Sequence, residues 1–137
     1  MADVSVTAGN VAISAEATTI LTVQAGEAIT QGQPVYRSSS TGKYLRADAN
    51  DTAAKAEALG IALTPASSDG YFLIATDGEV NIGGTLVKGS PYYVSNAVGG
   101  IAPFGDLTTN DYVTILGHAK TTAILQINIV ATGIQKA

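Results

Sequence analysis

Hydrophobic and polar residues alternate along this chain in short runs separated by turn formers, a period of two that predicts strands rather than helices. The clearest run is 123–130, where Leu125, Ile127 and Ile129 point to one face and Gln126 and Asn128 to the other. Residues 19–23 are β-branched and short, hence a strand. Residues 35–37 run into the polar turn 38–42 and return over 43–46, a hairpin. Further strands are expected at 61–63, 91–94, 101 and 112–116, and the continuous apolar run 71–75 reads as a strand buried on both faces. Thr76-Asp77-Gly78 is the strongest hairpin signal in the chain and leads into 79–82. One stretch, 50–59, has helical composition. Asn50 or Asp51 can cap its start and Gly60 its end, which predicts a helix of about two turns.

Laid over one another, two parts of this pattern coincide. Gly26, Ile29, Gly32, Pro34, Tyr36 and Ser38 fall on Gly83, Leu86, Gly89, Pro91, Tyr93 and Ser95 at a constant offset (83 − 26 = 57), and Leu59-Gly60-Ile61-Ala62 falls on Leu116-Gly117-His118-Ala119 (116 − 59 = 57). The repeat covers about 25–63 and 82–120. Each copy reads loop, glycine turn, proline-led strand, because glycine supplies turn backbone and proline is tolerated at the first position of a strand. Two copies are too few for a solenoid, so the expectation is one domain built from two related half-units. In the second copy the loop 104–111 replaces the helix of the first. With many short strands and at most one helix, the expected fold is all-β, a sandwich or barrel of jelly-roll type.

Residues 1–17 alternate weakly, with Val4, Val6, Val11 and Ile13 among small polar residues. They are expected to form an extended arm that becomes ordered by adding to a sheet edge, in the same or another subunit, ahead of a single β domain at 18–137. Val4, Val6, Val11 and Ile13 are the candidate partner-binding residues.

Composition narrows the function. At 137 residues the chain is one ordinary domain, large enough for a core without staples. Charged residues are 13% of it, the net charge is −4 and the seven basic residues are scattered, so no stripe exists to track phosphates and nucleic acid is not an expected partner. No apolar run reaches membrane-span length, and the start lacks the basic and apolar regions of an export signal. The absence of cysteine excludes disulfides and thiolate metal sites. A neutral surface of small residues is unusual for a free monomer and points to contact with another protein.

Candidate chemistry is sparse. His118, the one histidine, occupies the slot of Ile61 in the first copy and reads as a packed or half-buried sheet residue rather than a base. The run Asp48-Ala49-Asn50-Asp51 lacks a calcium loop's glycine at the sixth position (Ala53) and its glutamate at the twelfth (Leu59). The glycine turns open no helix and precede no Lys-Ser/Thr, so they are not phosphate cradles. Tyr36, Tyr44, Tyr92, Tyr93 and Tyr112 suit core and rim positions better than a sugar-stacking platform. No catalytic, cofactor-binding or metal-ligating residue is assigned, and the chain is not expected to be an enzyme.

The order VxVTAxNV (4–11), AGEAITxGQPVY, LGIAL, GSPYYVS, VGGIAP and YVTILGHA resembles the head decoration, or cement, proteins of tailed bacteriophages over nearly the whole chain. The resemblance implies a virion protein on the capsid exterior, assembled in the host cytoplasm. There it would bridge major capsid proteins and reinforce the shell against internal DNA pressure, as a homodimer or homotrimer. The alternative is a tail fibre or spike, or a module that binds host-surface carbohydrate, since related AGxxxxxGxxVY units also occur in phage fibre and spike proteins.

Overall fold

Ten strands form one antiparallel sheet curled into a half-barrel in the computed structural model, which describes residues 3–14 and 18–137. The strands are β1 (Ala12–Ile13), β2 (Thr19–Gln24), β3 (Pro34–Arg37), β4 (Tyr44–Arg46), β5 (Gly60–Ala62), β6 (Tyr71–Asn81), β7 (Pro91–Val94), β8 (Ile101–Ala102), β9 (Tyr112–Ala119) and β10 (Ile124–Gln135). The chain is all-β, as the alternation predicts. A single α-helical turn, α1 (Ala53–Ala56), and two 3-10 turns, at Ala8–Asn10 and Phe104–Asp106, complete it.

The repeat organises the sheet. Its order, β4-β3-β5-β6-β10-β9-β7-β8, reads the same from both ends once β4, β3, β5 and β6 are matched to β8, β7, β9 and β10. Register repeats as well: Pro34 faces Ile61 and Val35 faces Gly60, while Pro91 faces His118 and Tyr92 faces Gly117. The copies differ between their last two strands. Ala62 faces Ile74, twelve residues on (74 − 62), whereas Ala119 faces Leu125, six residues on (125 − 119).

Packing breaks the symmetry. In the first copy both faces of the sheet are buried. Ile61 and Ala75 face the main cluster with Val80, Leu116, Leu125 and Ile127, while Ala62, Val35, Phe72 and Ile74 face a second cluster with Ala25 and Ile29. In the second copy the residues equivalent to that second cluster, Tyr92, Ala119 and Leu125, belong to the main one.

Two expectations change. Thr76-Asp77-Gly78 is no hairpin: β6 runs straight through it for eleven residues. Thr19 faces Asp77 and Ile20 faces Ala75, so Thr76 is the extra residue of a bulge opposite β2, and Gly78, with φ 95°, lies beside it. One extra residue reverses the inward alternation, and Ala75 and Val80 therefore both reach the main cluster. The helix is also shorter than 50–59. Thr52, not Asn50 or Asp51, caps it by accepting from Lys55 N–H, and Glu57 ends it. Gly60 caps nothing; it lies in β5, where a Cβ would come within 2.7 Å of Ala75 O.

Candidate interaction surface

The N-terminal arm is inlaid in its own domain. Val4 N–H donates to Ile101 O and Thr7 N–H to Gly83 O, and β1 pairs with the far end of β6, Ala12 opposite Asn81 and Ile13 opposite Val80. Four glycines make the bed. A Cβ on Gly32 would lie 2.6 Å from Val6 Cγ1 and one on Gly100 2.5 Å from Asp3 Oδ2, while one on Gly83 or Gly84 would come still closer to the carbonyl oxygen of Thr7 or Ser5 respectively. The arm adds to a sheet edge of the same subunit. Val11 is 6% exposed and part of the main core, and Val4 and Val6 pack against that core half-buried. Of the four candidate partner-binding residues, Ile13 alone is exposed, at 47%.

At the arm's start, Asp3 accepts a hydrogen bond from the buried Ser95 hydroxyl at 2.7 Å. Its pKa is raised, first by partial burial and then by the hydrogen bond and charge of Asp106, against the opposing pull of Ser95. A cleft of about 580 Å³ opens beside it, lined by Val4, Thr7, Gly84, Val87 and Pro103 among others. Around this end large apolar side chains stand in solvent at loop tips of the second copy: Val87, at 66%, Val98 and Phe104. Phe104 is held by Tyr93, ring centroids 5.2 Å apart, and by Lys136 Nζ 4.4 Å above its ring.

The second exposed apolar set follows β1 and β2 along the edge of β6, with Ile13, Ile20 and Leu21. Tyr71, at 70% exposure, sits opposite Gln24 at the end of this edge. The sequence reading missed Ile20, Leu21 and Tyr71. The signal was available in the uncharged run from Thr18 to Gly26, longer than a surface edge usually tolerates.

His118 departs from expectation and is exposed. It shares a face with Pro91 and Gln126, its partners on β7 and β10. The equivalent face at Ile61 is buried because the second half-unit covers it, and no such layer covers the second copy there. The tyrosines do not share one platform: Tyr92 is buried, its hydroxyl accepting from Val87 N–H, whereas Tyr36 and Tyr93 pack against the main cluster and Tyr44 against the other. Asp48 accepts from Asn50 N–H and Asp51 pairs with Lys55, local turn and helix contacts. Among the described residues no three of His, Asp and Glu gather as a metal-ligand set, and no helix is long and apolar enough to cross a membrane. Set against known proteins, the chain matches no family model, and no curated protein matches it closely enough to count as a relative.

Proposed function

We propose that this protein decorates the outer surface of an assembled phage capsid, bridging major capsid proteins and stabilising the head against internal DNA pressure. The observation that carries this reading is the exposure of Val87, Val98 and Phe104 at loop tips of a nearly neutral domain, an apolar set suited to burial against another protein. The resemblance to cement proteins supports it independently. The arm's part is to hold these loops: Thr7 N–H fixes Gly83, and Val4 N–H fixes Ile101 beside the Val98 turn.

The energetics are those of linkage. A protein that binds only the assembled lattice stabilises it by RT ln(1 + [L]/Kd), about 2.7 kcal/mol per site at a hundredfold excess over Kd. Contact with two capsid subunits at once multiplies the effect. The test is co-sedimentation of the purified protein with mature undecorated heads and with unexpanded precursor shells. Saturable binding to mature heads at a fixed ratio, a raised head melting temperature and weaker binding by Val87→Asp are expected. No binding to either shell would overturn the proposal and send the protein to whole virions and host cells as a fibre or receptor-binding module.

A further inference from the structure

A sheet edge carries unpaired N–H and C=O groups, and natural proteins protect such edges with charge, proline, bulges or a covering segment. Three edges here are protected. Gly26 N–H donates to Tyr44 O on β4, Val4 covers β8, and β10 beyond Ile127 shifts register with β9 twice. β2 is different. From Ile20 to Gln24 it pairs with β6 in unbroken register, Ala75 to Tyr71, and no described segment pairs with its other side. The strand holds no charged residue and no proline, and Ile20 and Leu21 are 39% and 46% exposed.

We infer that β2 is a homodimer interface, pairing antiparallel with β2 of a second copy across a twofold axis at Thr22. The strand is complementary to itself in that register. Leu21 meets Val23 of the second copy and the reverse, Thr22 meets Thr22, and Ile20 meets Gln24. A shift of the axis to either neighbouring residue leaves part of the five-residue edge unpaired. The faces match too. Val23 packs with the small cluster of Phe72 and Ile74, so the Leu21–Val23 pairs extend that cluster across the axis. On the other face the exposed Tyr71, beside Gln24, reaches toward Ile20 of the second copy. The absence of charged residues on β2 lets two copies meet along this line without like charges opposed. The inference rests on the edge alone, independently of the proposed capsid role.

The test uses the purified full chain. Sedimentation or light scattering from micromolar to several hundred micromolar is expected to give twice the 13.8 kDa chain mass. Thr22 is exposed, so Thr22→Lys leaves the monomer fold intact while placing like charges face to face at the axis. It should weaken dimerisation at least tenfold with an unchanged circular-dichroism spectrum. The chain has no cysteine, so Thr22→Cys should give a disulfide-linked dimer on mild oxidation. Thr19→Cys, whose two copies would lie about 20 Å apart in this register, should not. A monomer at every concentration, or an oligomer indifferent to Thr22→Lys and not cross-linked through position 22, would overturn the inference.

Discussion

Gly32 and Gly89 hold the same left-handed backbone, φ 86° and 85°, at equivalent points of the two half-units (89 − 32 = 57). Gly32 N–H donates to Ala62 O at 2.8 Å and Gly89 N–H to Ala119 O at 2.7 Å; Ala62 and Ala119 donate back to Gln33 O and Ser90 O, both at 2.9 Å. One turn has been built twice, but its surroundings differ. A Cβ on Gly89 would meet nothing within 4 Å, whereas one on Gly32 would collide with Val6 and press on Val11. Gly89→Ala should therefore cost only the left-handed strain, about 1 kcal/mol. Gly32→Ala should cost at least about 2 kcal/mol and loosen the arm. Urea unfolding and hydrogen exchange over residues 3–13 measure both; equal costs would refute the inlaid arm.

Val11 and Ile13 lie two residues apart with opposite surroundings. Val11→Ala removes two methyl groups from the core and should lower stability by about 2 kcal/mol. Ile13→Ala, on an exposed side chain, should change stability by less than about 0.5 kcal/mol. An Ile13→Ala loss as large as that of Val11→Ala would mean the arm is seated differently.

Most strands were legible because β-branched runs, proline at strand starts and repeated glycines act locally. What was not legible depended on partners distant in sequence. Asp77-Gly78 has the residues of a tight turn, and the same left-handed glycine sits beside a bulge when neighbouring strands pair with both residues, as β2 does with Asp77 and β10 with Gly78. His118 and Ile61 share a slot in the repeat, yet only Ile61 is covered by a second layer. Glycines 32, 83, 84 and 100 read as turn residues, and their further use as a bed for the arm follows from contacts 76 (83 − 7), 79 (84 − 5) and 97 (100 − 3) residues away for the last three. Ile20 and Leu21 resemble central-strand residues because a β-branched run looks alike at an edge and in the middle of a sheet.

Gly78 gives a sharp test of the bulge. A Cβ there would lie 2.5 Å from Thr18 Cα, a backbone atom that cannot swing aside, and the residue holds φ 95°. Gly78→Ala should destabilise the fold by at least about 2 kcal/mol, through strain and through the displaced start of β2. In a hairpin turn, by contrast, the same position would face solvent and alanine would cost strain alone. A measured loss near 1 kcal/mol would argue for the turn.

The Asp3 carboxyl makes the arm's attachment dependent on pH. Its pKa is raised above the ordinary 3.8 by partial burial and by Asp106, so between 3.8 and the raised value the folded chain holds a proton that the unfolded chain has released. This contribution to stability is fully present below 3.8 and is lost as pH rises through the folded-state pKa. Above the raised value Asp3 is ionised while partly buried and beside Asp106, at a mild cost because the site is largely open to solvent. Asp3→Asn keeps an acceptor for the Ser95 hydroxyl and removes the charge. It should raise Tm at pH 7 by about 1–3 °C and leave it nearly unchanged at pH 3. Thermal unfolding of both proteins across this range decides the matter: an equal difference at the two pH values, or a lower Tm for Asp3→Asn at pH 7, would show that burial and Asp106 together do not oppose the Asp3 charge.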